Sequence, residues 1–71
     1  MNNIISENLK QLRKKNNFTQ YQLCEKIKSY GCNISRTTYT KYECGKRTVP
    51  YDVLIAIVHI YNVSADYILG L

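Results

Sequence analysis

Ser35-Arg36-Thr37-Thr38-Tyr39-Thr40-Lys41-Tyr42-Glu43-Cys44-Gly45-Lys46-Arg47, closed by Pro50, is the stretch on which the reading of this chain turns. A serine able to cap a helix opens it, tyrosines at i and i+3 give it a buried side, and a glycine stops it. The side left over carries Arg36, Thr37, Thr40 and Lys41, all hydrogen-bond formers and none bulky or apolar. A short helix with that outer side, followed at once by Lys46 and Arg47, suits the major groove of a DNA duplex, with cations beside it for phosphates.

On either side of this stretch the spacing of apolar residues predicts more helices and no strands. One runs from about Ile4 to Asn16 with Ile5, Leu9 and Leu12 on one face, and Phe18 follows as a core plug in the connection. Thr19 caps a second, whose inward stripe is Leu23, Cys24, Ile27 and Tyr30, and Gly31 ends it. After the basic loop from Gly45 to Val49, Pro50 is placed to begin a fourth helix, because the first turn leaves its N–H unpaired anyway. That helix reaches about Tyr61 with Leu54, Ile57, Val58 and Tyr61 inward. Ser64 caps a last short one carrying Tyr67, Ile68 and Leu71. The expected fold class is all-α, a compact five-helix bundle occupying residues 1–71 as a single domain, with its core between about 4 and 70.

Seventy-one residues allow one small core, and a hydrophobic share of 45% argues against disorder. The run from Val53 to Val58 is too short to cross a bilayer, and no cationic segment leads an apolar one at the N-terminus. The expected compartment is the cytoplasm. Cys24, Cys32 and Cys44 form no Cys-x-x-Cys, and His59 is the only histidine, so free thiols are expected rather than a disulfide or a zinc site. No carboxylate pair, glycine-rich phosphate loop or nucleophile with a neighbouring base appears; no catalytic residue, metal or cofactor is expected, and His59 reads as a surface residue.

Charge is segregated along the chain. The net charge is +5, all ten Lys and Arg residues lie between Lys10 and Arg47, and Asp52 and Asp66 are the only charges from Thr48 onward. A basic half for a polyanion and an apolar half for packing or pairing follow from that division.

Thr19-Gln20, Leu23, Ile27, then Ile34-Ser35-Arg36 through Tyr42-Glu43-Cys44-Gly45-Lys46-Arg47, then Pro50, resemble the Cro/phage-repressor-type helix-turn-helix, often called Xre-like. The tail Asn62-Val63-Ser64-Ala65-Asp66-Tyr67-Ile68-Leu69-Gly70 is similar to the usual end of that domain. The resemblance implies the lambda-repressor-like arrangement, in which helix 3 enters the major groove and helix 2 lies across the backbone. By position it implies base reading by Arg36, Thr37 and Lys41, with Thr40 on the same face. It implies phosphate contact by Gln20 and by the loop residues Lys46, Arg47 and Thr48; Thr19 and Tyr21 stand beside Gln20 and join that group. It also implies an ion pair between Arg13 and Glu43 that joins helix 1 to helix 3. One departure is visible: six residues, Lys28 to Asn33, separate Ile27 from Ile34 where the family's tight turn has one. A longer helix 2 and a looser connection are expected.

The expected function is sequence-specific binding of double-stranded DNA by a transcriptional regulator, a repressor acting as a homodimer on a two-fold operator. The apolar residues Ile60, Val63, Tyr67, Ile68 and Leu71 are the expected pairing surface, and no membrane or small-molecule ligand is implied. A DNA-binding antitoxin or a phage or plasmid control protein would use the same chemistry. A protein–protein adaptor docking through the helix pair is the alternative from another class.

Overall fold

A computed structural model describes residues 4–71, and the helices of the chain follow from how each one starts and stops. They are α1 Ile4–Lys15, α2 Gln20–Ser29, α3 Arg36–Glu43, α4 Tyr51–Tyr61 and α5 Ala65–Leu69. Thr19 caps α2 through a reciprocal pair: its hydroxyl accepts from the Gln22 N–H at 3.0 Å, and its own N–H donates to Gln22 Oε1 at 2.9 Å. Ser35 and Ser64 cap α3 and α5 by accepting the N–H of Thr38 and Tyr67.

The stops share one device. Asn17, Gly31, Gly45, Asn62 and Gly70 are the positive-φ positions among the described residues, and each stands just past a helix. The N–H of the next residue then reaches back five positions: Phe18 to the Arg13 carbonyl, Cys32 to Ile27, Lys46 to Lys41, Val63 to Val58 and Leu71 to Asp66. Five short helices thus turn sharply without leaving their last carbonyls unpaired.

α1 packs on α3 and α5, α2 on α3 and α4, and α4 on α5. Leu9 and Leu12, Leu23, Cys24 and Ile27, Tyr39 and Tyr42, Val53, Ala56 and Ile57, and Ile68 meet in one core. The two tyrosines of α3 lie edge to face, with ring centroids 6.1 Å apart. Asn8 of α1 donates its amide to the Tyr67 and Ile68 carbonyls, which pins the five-residue α5 to the first helix.

Several expectations need correcting. Tyr30 is 51% exposed rather than inward, because α2 ends at Ser29 and the chain has begun to turn; its ring stacks on that of His59 at 6.0 Å. Pro50 caps α4 from outside, in extended conformation, and the helix proper starts at Tyr51. The deepest residues of α4 are Val53, Ala56 and Ile57, with Leu54, Val58 and Tyr61 only partly buried. Phe18 is likewise half-buried, at the core's edge against Tyr61 and under the Lys26 ammonium. The connection between α2 and α3 is longer, as expected, but it is held: Gly31 N–H donates to the Lys28 carbonyl, and Cys32 is buried. Ile68 is 0% exposed and cannot form part of a pairing surface, since it is the one α5 residue that fills the core.

Gly31 gives a direct test of the stop. A Cβ there would touch nothing within 4 Å, so replacing it isolates the backbone cost of its φ of +91°. Gly31→Ala is expected to lower stability by about 1 kcal/mol, which in a domain of this size is about 4–8 °C in thermal melting followed by circular dichroism.

Candidate nucleic-acid interface

The outer face of α3 follows from its inner one. Tyr39 and Tyr42 are drawn into the core, which leaves Arg36, Thr37 and Lys41 exposed on the opposite side. These three, with Thr40, Cys44 and Lys46, line one shallow depression open to solvent. The αL stop at Gly45 folds the chain back at the end of α3, and so Lys46 joins the helix face while Arg47 and Thr48 follow it, all three exposed. Lys46 is therefore a neighbour of the α3 residues in space, while Arg47 and Thr48 line an adjoining recess that also includes Lys46.

Gln20, in the first turn of α2, is aimed at α3. Its Nε2 donates to Glu43 Oε1 at 3.2 Å, and its Oε1 accepts from the Thr40 hydroxyl at 2.8 Å. Thr40 is half-buried, and its hydroxyl also lies 2.9 Å from the Arg36 carbonyl. Thr19 is exposed; its oxygen accepts the capping bond, leaving its own proton to donate. Tyr21 is exposed too, but it lines a separate depression with Asn17, Phe18, Gln22, Glu25 and Lys26, apart from the α3 face.

Beneath this face is a partly buried charge pair. Arg13 Nε donates to Glu43 Oε2 at 2.7 Å and Nη2 to Oε1 at 3.1 Å, a two-pronged contact. The remaining Nη1 donates to the Phe18 carbonyl at 3.0 Å. Glu43 is only 5% exposed. Burial alone would push its carboxyl up, but hydrogen bonding from Arg13, assisted by Gln20, outweighs that and holds it below the ordinary value. Arg13 is in turn pushed further up by the same carboxylate. The Tyr39 and Tyr61 hydroxyls are buried near this pair without a partner of hydrogen-bonding geometry, and burial drives both phenols far above their usual range.

Two structural residues were not singled out from the sequence. Gln22 completes the cap of α2, and the Thr-x-x-Gln spacing is its signal. Asn8 anchors α5 through space and has no local signal. All three cysteines are free, with Cys24 and Cys32 buried and Cys44 exposed in the α3 depression. Among the described residues no group of three His, Cys, Asp or Glu is placed to hold a metal ion, and no helix is long and apolar enough to cross a membrane.

A short helix with a polar outer face, crossed by a preceding helix and followed by a basic loop, defines a helix-turn-helix domain. Residues 9–68 match the pattern of the helix-turn-helix family, and the chain belongs to that family. It is 42% identical over 65 residues to YobD of Bacillus subtilis (strain 168), described as an uncharacterized HTH-type transcriptional regulator; the match covers 92% of this chain and 54% of that protein. YqaE of the same organism, described in the same words, is 42% identical over 66 residues, or 93% of this chain and 53% of its own. ImmR, an HTH-type transcriptional regulator of that organism, is 35% identical over 66 residues, or 93% and 48%. The chain thus spans about half the length of the curated relatives it matches. No solved structure matches it significantly.

The ion pair gives the fold a pH dependence on the acid side. A carboxyl held below its ordinary value contributes stability that is present above about pH 4.5 and lost as pH falls through the lower folded-state value. Glu43→Gln is expected to flatten the decline of melting temperature below that pH, while lowering the melting temperature at pH 7. Arg13→Ala leaves the carboxylate buried and unpaired and is expected to cost about 3 kcal/mol at neutral pH. Denaturant unfolding between pH 3 and 7 checks both; an Arg13→Ala chain as stable as the parent would contradict the role given to the pair.

Proposed function

We propose that this chain is a sequence-specific double-stranded DNA-binding regulator of transcription, acting as a repressor and as a homodimer on a two-fold operator. The reading rests above all on one observation: Arg36, Thr37 and Lys41 stand exposed and side by side on α3, with Lys46 at the same depression. The first turn of a reading helix reaches furthest into the groove. Arg36 stands there, with a fork that fits guanine O6 and N7. Thr37 offers a methyl and a hydroxyl to the next base edge, and Lys41 reaches a base or a phosphate one turn later. Lys46, Arg47 and Thr48 supply backbone contacts that carry no sequence information. The relatives described as transcriptional regulators support the same reading.

The dimer follows from the size of the reader. One helix of eight residues addresses few base pairs, too few to select a site among genomic competitors. Pairing two copies doubles the readout and places half-sites about one DNA turn apart. The surface we assign to pairing is the end of the molecule made by α5 and the start of α1. There Tyr67 is 50% exposed, Leu71 87% exposed, and Ile4 lies beside Gly70. Val63 is partly buried just before the Ser64 cap of α5, whereas Ile60 lies in a separate recess with Phe18, Lys26, Ser29 and Tyr30 and is not part of that surface. No cation occurs after Arg47, but this end borders the basic loop, since Ile5 and Leu69 line one recess with Lys46 and Arg47.

Selection of duplexes from a random pool, followed by titration at several salt concentrations, tests the proposal. If each copy in a dimer grips two phosphates, log Kd against log salt should have a slope of magnitude about 3–4, and Lys46→Ala should reduce it by about 2. Lys41→Ala should weaken binding while leaving the melting temperature unchanged. A selected site without two-fold symmetry would remove the dimer. Absence of salt-sensitive duplex binding would replace a DNA reader by a protein-docking adaptor.

A further inference from the structure

Thr40 lies on the outer face of the reading helix and, by type, belongs with the base readers. Its hydrogen bonds give it different work. Glu43 is buried and held in its ionised form by Arg13, so its oxygens can only accept hydrogen bonds. The end of the Gln20 carboxamide that faces Glu43 must therefore be the NH2 group, and the carbonyl end must face Thr40. Thr40 can satisfy that carbonyl only by donating. The other oxygen within its reach, the Arg36 carbonyl at 2.9 Å, is likewise an acceptor. The single hydroxyl proton of Thr40 is thus committed inside the molecule. What remains toward solvent is lone-pair density, which repels a phosphate oxygen.

We infer that Thr40 is a positioning residue for the phosphate contact of Gln20, and that base reading on α3 is confined to Arg36, Thr37 and Lys41. One N–H of Gln20 goes to Glu43 and the carbonyl goes to Thr40, so the second N–H has a fixed direction at the first turn of α2. A duplex phosphate gripped there is registered against the reading helix through two side chains of that helix. The chain of contacts runs from the Phe18 carbonyl through Arg13, Glu43 and Gln20 to Thr40. It joins the end of α1, the start of α2 and the second half of α3. This inference rests on the DNA-binding reading above and adds to it which hydroxyl does not read sequence.

Thr40→Val keeps the shape and the γ-methyl group and exchanges the hydroxyl for a second methyl, which removes the donor to Gln20 together with the hydroxyl lone pairs. In the free protein, the Gln20 side-chain amide should lose its distinct NMR shifts and exchange faster in Thr40→Val, while Thr40→Ser retains them. On the duplex selected by the parent chain and its complete set of single-base variants, Thr40→Val should lose about five- to tenfold in affinity on every duplex alike. Its order of base preference should stay that of the parent. Thr40→Ser should restore binding, and Thr40→Val combined with Gln20→Ala should bind no worse than Gln20→Ala alone. A changed preference at one base position in Thr40→Val would make Thr40 a reader and overturn the inference. Additive losses in the double variant, or unaltered Gln20 amide signals, would overturn it too. Failure of the parent chain to select any duplex would instead overturn the functional reading, and the amide signals keep the two failures apart.

Discussion

The contact between Arg13 and Glu43 decides how α3 is presented, and much else depends on it. α3 has eight residues and contributes only two large side chains to the core, which fixes its depth but constrains its rotation weakly. A carboxylate as the last residue of a helix is opposed by the helix dipole, and burial opposes it further. Glu43 is tolerated there because a guanidinium meets it with two N–H groups in a plane. That geometry admits little rotation. Arg13 stands in the last turn of α1, where a cation is favoured, and its third contact holds the Phe18 carbonyl at the entry to α2. Three helix ends therefore share one cation.

Polar groups in a core this small are costly unless each is matched, and the surroundings of the pair show how that cost is contained. Tyr39 and Tyr61 bring bulk for packing, and both remain neutral phenols because burial disfavours their ionised forms. Gln20 shields the open side of Glu43 from water while contributing its own hydrogen bond. The result is a partly buried polar cluster directly behind the face that carries Arg36 and Lys41. A change on one side of it reaches the other through hydrogen bonds of fixed direction, and specificity of angle, more than net stability, is what such a cluster supplies.

Most of the fold was legible because its signals are local. Ser35, Thr19 and Ser64 mark helix starts, and glycine or asparagine marks each stop. The i, i+3 tyrosines of α3 told the inner face from the outer one. Arg13 and Glu43 could be paired only through the family resemblance, since nothing at a separation of thirty residues announces a contact. The misplacements have local causes of another kind. Tyr30 continues the apolar stripe of α2 in sequence, yet the helix ends one residue before it. α4 is apolar nearly all round, so its pattern could not rank Val53 and Ala56 above Leu54 and Val58; only the neighbours α2 and α5 do that. Ile68 and Leu71 look alike on paper, but one lies inside the last helix and the other beyond its stop.

What the sequence could not disclose about the outer face is which hydroxyls still have a proton to give. Thr19, Thr37 and Thr40 are the same residue type within the same small region. Thr19 accepts a capping bond and keeps its proton, and Thr40 donates its proton inward. Under the proposed function this divides the labour physically: a threonine with a free proton can hold a phosphate, whereas one without it can face only donors. The donors offered by a duplex are base amino groups, and a half-buried residue facing α2 is poorly placed to meet them. We therefore assign reading to the exposed Arg36, Thr37 and Lys41, about one contact for each of a few base pairs. So few contacts would make a single copy a weak discriminator, which is why the proposed dimer adds a second copy, at the end bearing the exposed Tyr67 and Leu71.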